Sequence, residues 1–195
     1  LLFTLLGNHH DVRKAVSSDF KESGDVIYIV GQTHQELGAS ELATLFQDEN
    51  GGGIGGKIPE IDTTRNLALY RALTAAMGDG LVVSAHDCSD GGFAVALAEA
   101  CFGAGAGCNI DVSQMYADCK EINNWGVLFG ESLGRITVSV KPEKSTAFES
   151  AMAGHTCYRL GEVGRDDDIR ISNGSETILT ASMMELKKSW QSTLN

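Results

Sequence analysis

Five consecutive β-branched or aromatic residues, Val26-Ile27-Tyr28-Ile29-Val30, follow a Gly24-Asp25 turn signal. A run this apolar, with no polar alternation, reads as an interior strand, so the chain must build a sheet around it. The segments on either side alternate between strand and helix signals. Leu1–Leu6 reads as a buried strand, and Ser40 as the N-cap of a short helix over Glu41–Gln47. Thr63 is placed to cap a helix running to about Met77, with Leu67, Tyr70, Leu73 and Ala76 at helical spacing. Gly78-Asp79-Gly80 stops it, and Leu81–Ala85 reads as the next strand.

Phe93–Phe102 is almost uniformly apolar and Ala-rich, the mark of a buried helix. Further strands are expected at Asn109–Val112, Gly134–Val140 and Cys157–Val163, and helices at Lys144–Ala153 and Ala181–Trp190. Asp166–Ser175 suits a hairpin around Asn173-Gly174. The stretch Asp111–Gly126 looks irregular and is expected to be an exposed excursion. No repeat and no linker divides the chain, so residues 1–195 read as one α/β or α+β domain with helices packed on a mixed sheet.

Composition narrows the function. The 195 residues are 43% hydrophobic, enough for a sizeable core, and 23 Gly against 2 Pro favours tight strand–helix turns. A net charge of -11 argues against general nucleic-acid binding. No apolar run is long enough to span a membrane, and Leu1–Leu6 lacks the basic leader of a signal peptide. The chain starts without Met inside an apolar run, which is expected of a piece of something longer. Its five cysteines, an odd count with no CxxC pair, suit free thiols in a reducing cytoplasm.

Two segments carry chemistry. Ser84-Ala85-His86-Asp87-Cys88-Ser89-Asp90-Gly91-Gly92 sits where a strand ends and a helix begins. Open α/β sheets bind ligands at such places, and the free N–H groups of a helix start favour anions. Asp87 and Asp90 offer hard oxygens suited to Mg²⁺, His86 a donor for phosphate, and the glycines a close backbone approach. The competing structural reading has Ser89 and Asp90 capping the helix and His86 packing at the strand end.

The second segment runs from Leu128 to Val138. There Arg135 is suited to bidentate phosphate contact and Glu131 to a sugar hydroxyl or a metal, or the two form an internal ion pair. Gly51–Gly56 satisfies G-x-G-x-x-G, but a polar run precedes it and Pro59 follows, so it reads as a loop and not a dinucleotide site. His9-His10-Asp11 lacks metal-ligand spacing, and His34 and His155 read as surface or core histidines.

The run from Gly80 to Glu99 closely resembles the signature of the phosphoribosylformylglycinamidine synthases, GLVxSAHDxSDGGLAVALAE. Asp19-Phe20-Lys21 with Gly24–Tyr28, Gly31-Gln32-Thr33 with Glu36–Glu41, Gly56–Asp62, Leu128–Ser132 with Arg135, and Gly161–Gly164 resemble further segments of that family in the same order. The resemblance implies the C-terminal lobe of the aminoimidazole-ribonucleotide-synthetase-like superfamily, a three-layer α/β/α domain with a mixed sheet.

It also implies an ATP-dependent ligase that converts formylglycinamide ribonucleotide, ATP and glutamine-derived ammonia into the amidine, with Mg²⁺ as cofactor. The implied partners are an ATP-binding lobe of the same protein and a glutaminase domain or subunit. By position, Asp87 is the implied metal ligand, and His86, Ser89, Asp90, Gly91, Gly92, Glu131, Ser132 and Arg135 the implied substrate or phosphate ligands. Other members of the superfamily, such as aminoimidazole ribonucleotide synthetase and selenophosphate synthetase, are the alternatives. So is a non-catalytic lobe that packs on the ATP-binding one.

Overall fold

A computed structural model describes residues 4, 6–9, 11–47 and 55–192. The strands are β1 (Val26–Val30), β2 (Ser84–Asp87), β3 (Cys108–Asp111), β4 (Ile136–Val140), β5 (Cys157–Val163), β6 (Asp168–Asn173) and β7 (Glu176–Ser182). The helices are α1 (Glu41–Leu45), α2 (Thr63–Gly78), α3 (Gly92–Ala104), α4 (Asn124–Phe129), α5 (Ser145–Ala151) and α6 (Met183–Ser192). The strands form one seven-stranded sheet in the order β2-β4-β1-β5-β3-β6-β7. Only the β3–β6 pair is parallel; the other five are antiparallel, so the sheet is mixed as expected.

The uninterrupted apolar run of β1 has a direct structural cause. All five residues are buried, because the strand lies between β4 and β5 and both of its faces are covered. Ile27 and Ile29 pack with Phe93, Leu97 and Cys101 of α3 and Val127 and Leu128 of α4. Val26, Tyr28 and Val30 point the other way, onto Leu69 and Leu73 of α2 and Phe148 of α5. Two apolar cores on opposite faces of one sheet make three layers, α/β/α.

Several local signals act as read. Ser40 caps α1, its Oγ accepting from Ala43 N at 3.1 Å. Gly174 stands at φ +60° in the two-residue turn joining β6 and β7, where Asn173 pairs with Glu176. Other expectations shift. Asp62, not Thr63, caps α2, with Arg65 N donating to its Oδ1 at 2.9 Å. β2 starts at Ser84 and not Leu81. Of the expected strand Leu1–Leu6, only Thr4 and Leu6 are described; both lie outside any strand, and Leu6 is fully exposed.

The stretch Asp111–Gly126, expected to be an irregular, exposed excursion, is irregular and largely exposed, but a few of its residues anchor it in the core. Val112, Met115 and Ile122 are buried, just before, within and after a 3₁₀ turn (Ser113–Ala117). Their spacing follows no regular period, so pattern reading could not register them.

The largest fully buried side chain is Arg135, just before β4. Its guanidinium donates to Gly130 O and, at 3.4 Å, to Thr33 Oγ1. Burial pulls its pKa down, while Cys88, Glu36, Asp118 and Glu131 nearby push it back. Glu36 is itself buried and accepts from Glu60 N at 3.2 Å. Asp118 accepts from Thr33 N at 2.9 Å and from the Tyr158 hydroxyl at 2.7 Å. Among the described residues, Arg135 Nε and Glu36 Oε2 find no hydrogen-bond partner, so the cluster is held by charge as much as by hydrogen bonds.

Removing one member of a buried charge cluster leaves the others uncompensated. Arg135→Ala is therefore expected to lower stability by about 3–5 kcal/mol, measured by urea denaturation; a loss below about 1 kcal/mol would mean that the cluster carries no fold energy. A second expectation concerns the five cysteines, all free thiols. In denaturant without reductant all five should react with a disulfide reagent. In the native protein Cys119 should react first, and Cys157 slowly, because burial pushes its thiol up to about 12 and starves it of thiolate. Cys88, Cys101 and Cys108 are buried and should react only on unfolding.

Candidate functional site

β2 ends at Asp87, and the chain turns through Cys88-Ser89-Asp90 into α3. Cys88 N donates to Arg135 O at 3.0 Å, and Gly92 N to Ser89 O at 3.0 Å, which closes the turn. Gly91 and Gly92 both take positive φ, +77° and +70°. Gly92 must also be small, since a Cβ there would lie 2.4 Å from Gly130 O. The turn therefore lies directly against the Gly130–Arg135 connector between α4 and β4.

Glu131 makes the junction. Its Oε1 accepts from Gly91 N and from Glu41 N, each at 2.9 Å, so one carboxylate serves the starts of both α3 and α1. No Glu131–Arg135 ion pair forms; the two charges interact at longer range. Between the segments lies an open cleft of about 600 Å³, walled by Asp87, Ser89, Asp90, Glu131, Tyr70 and Leu133. Leu133 also borders a neighbouring polar cleft of about 280 Å³ that includes Gln32, His34, Arg65, Asn66 and His155. Both open at the end of the sheet where β1 and β2 finish.

The residues singled out by sequence divide into two groups. Asp87, Ser89 and Asp90 are exposed at the cleft, with 71% of the Asp87 side chain open to solvent. Asp87 Oδ2 accepts from the Ser89 hydroxyl, and that bond is the main reason its carboxyl lies below the usual range. Ser89 thus binds Asp87 and does not cap α3; the N-cap is Gly91, with no side-chain cap bond.

The other group turns inward. The Arg135 guanidinium is buried under the connector. Ser132 is buried too, accepting from His34 N at 3.0 Å and donating to His34 O at 3.4 Å. His86 faces away from the cleft, its Nε2 donating to Glu99 Oε2 at 3.0 Å. Arg135 borders the cleft but turns its guanidinium inward, and Ser132 and His86 stand outside the lining; each finds an internal polar partner, so these side chains hold the site's frame.

Sequence reading missed Glu99, Glu36 and Arg65. Glu99 had a signal: it is the lone charge in the apolar stretch Phe93–Phe102. Residues 51–54 of the glycine-rich run, and His10, lie outside the described residues. Asp11 bonds Arg13 N at 3.1 Å and takes no part in the site.

Among the described residues, no group of three or more His, Cys, Asp or Glu side chains converges on a metal position. Asp87 and Asp90 still fit Mg²⁺ in one mode: Mg²⁺ needs only one or two carboxylates when phosphates and waters complete its shell. No described helix is long and apolar enough to cross a membrane.

The family described as "AIR synthase related protein, C-terminal domain" matches residues 22–172. Among solved structures, the chain is similar to Thermotoga maritima PurL complexed with FGAR, at 20% identity and a TM-score of 0.78, over 90% of this chain and 30% of that one. It is similar to the same protein complexed with ATP at 19% identity and a TM-score of 0.73, over 90% and 27%. Hydrogenase maturation protein HypE in complex with ATP follows at 18% identity and 0.59, over 88% and 54%. At these identities the likeness is one of fold, and the chain spans under a third of the PurL chains. The family match covers most of the sequence, including both segments of the site, and on it the chain belongs to the AIR synthase related proteins, as their C-terminal domain.

Proposed function

We propose that this domain is the C-terminal lobe of a phosphoribosylformylglycinamidine synthase, the ATP-dependent ligase that forms formylglycinamidine ribonucleotide from formylglycinamide ribonucleotide and ammonia. The observation that carries this reading is the hydrogen bond from Gly91 N to Glu131. It closes the two signature segments, 40 residues apart in sequence, onto one cleft with Asp87 and Asp90 on its wall. The folds that resemble this one include PurL complexed with ATP, with ADP and with FGAR, which supports a nucleotide-handling cleft here.

In this reading Asp87, helped by Asp90, holds a divalent cation that arrives with the nucleotide. Mg²⁺, when bound, supplies charge neutralisation for the transferring phosphoryl group. Gly91 and Gly92 are buried, packed on Val95 and Gly130 with their N–H groups donating to Glu131 and Ser89, so they shape the turn that presents Asp87 and Asp90 and do not themselves meet a ligand. Glu131, already tied to two backbone N–H groups, fixes the cleft wall and offers Oε2 to a sugar hydroxyl. Ser132 and Arg135 support the site from beneath. The nucleotide-binding lobe and the source of ammonia, a glutaminase domain or subunit, are separate partners, and the setting is the cytoplasm. The likeness to the PurLQS assembly of Thermotoga maritima supports such a partner.

The inward-facing Arg135 and Ser132 favour a second reading, a lobe whose work is to pack against its nucleotide-binding partner. Two measurements separate the readings. Supplied with formylglycinamide ribonucleotide, ATP, Mg²⁺ and ammonia, the 195-residue chain alone should release no ADP at the rate of a working ligase, about 1 per second or more. In equilibrium dialysis it should still bind Mg·ATP, and Asp87→Asn should weaken that binding about tenfold or more, the loss of one charged contact. Absence of binding by the wild-type chain would favour the packing lobe.

A further inference from the structure

α3 is apolar along nearly its whole length, yet it carries one carboxylate in its middle. Glu99 is partly buried, with 34% of its side chain exposed. A carboxylate on such a helix needs a polar partner. It has one in His86, 13 residues earlier on β2, at 3.0 Å from Nε2. The His86 side chain is 20% exposed, so this contact is shielded from solvent and salt more than a surface pair is.

The other ring nitrogen continues the chain of contacts. His86 Nδ1 lies 3.6 Å from Asp87 Oδ1. The second Asp87 oxygen accepts from Ser89. Asp87 Oδ2 is thus held by the Ser89 hydroxyl, and Oδ1 lies beside the imidazole at a distance longer than a hydrogen bond, while the carboxylate itself borders the cleft. Left alone, an exposed Asp samples several rotamers and presents its oxygens in no single direction. Here the imidazole cannot swing away, because Glu99 on the rigid helix α3 holds its far side.

We propose that Glu99 and His86 form a positioning pair that fixes the Asp87 carboxylate for a divalent cation carried by a nucleotide, an inference that rests on the reading of Asp87 as the cation's ligand. Metal sites commonly orient their ligands through outer-sphere partners, such as a carboxylate behind a ligating imidazole; here the Glu99–His86 pair stands next to a carboxylate ligand instead. It also explains why His86 stands outside the cleft: both of its nitrogens face carboxylates, so neither is available to a phosphate. Through it the cation position is tied to α3, and so to the core of that face of the sheet.

The test is the affinity of the 195-residue chain for Mn²⁺ in the presence of ATP, followed by water-proton relaxation. Glu99→Ala and His86→Gln should each weaken Mn²⁺ binding by about tenfold or more, as loss of an outer-sphere partner does. Glu99→Gln keeps a carbonyl oxygen for the Nε2–H and should recover most of the affinity. A purely structural pair would instead lower the thermal midpoint and leave Mn²⁺ affinity of the folded protein unchanged. If Asp87→Asn weakens binding while Glu99→Ala and His86→Gln bind as wild type, positioning is overturned. Should Glu99→Ala fail to fold, His86→Gln decides by the same criterion. If Asp87→Asn itself binds as tightly as wild type, the reading of Asp87 as a ligand has failed, and this inference with it.

Discussion

A buried guanidinium organises the end of the sheet where the site lies. Arg135 reaches under the connector between α4 and β4, bonding Gly130 on that connector and Thr33 on the segment that leaves β1. Glu36, Asp118 and Glu131 surround it with negative charge. Burying an isolated cation would cost far more than its few hydrogen bonds return, so those carboxylates are what permit it. In turn, they are held by backbone donors at Glu60, Thr33, Gly91 and Glu41. The connector, the segment after β1, the start of α3 and the start of α1 are thus one electrostatic unit.

That unit brings backbone against backbone, and glycine is the residue that allows it. A Cβ at Gly31 would fall 2.5 Å from Gly134 O, and one at Gly92 would fall 2.4 Å from Gly130 O. Both clashes are with main-chain atoms that cannot move without taking the connector with them. The cleft wall is therefore set by main chain, with side chains adding the chemistry. Of those side chains, Asp87, Ser89 and Asp90 face out. Ser132 and Arg135 face in, and His86 stands between Glu99 and Asp87. The same short motifs supply both the exposed carboxylates of the cleft and the supports beneath them.

Much of the architecture was legible because its cause is local. The unbroken apolar run of β1 reports burial on both faces, and Ser40 and Gly174 report the cap and turn that their own chemistry makes. The resemblance in Ser84–Gly92 and Leu128–Arg135 singled out two segments that the fold brings together at one cleft. The anchors Val112, Met115 and Ile122 within the irregular stretch Asp111–Gly126 were not legible, because such a segment buries its apolar groups one at a time, with no period to detect.

By itself, the sequence determined the α/β class, the interior strand, the apolar helix α3 and the two segments that meet at the cleft, since each depends on neighbours in the chain. Only the tertiary structure decided which way the charged side chains point. Arg135 and Thr33 are 102 residues apart, Thr33 and Asp118 are 85 apart, and Glu131 and Glu41 are 90 apart. Whether an arginine serves a ligand or a core depends on the carboxylates that folding gathers around it, and no local pattern encodes that choice.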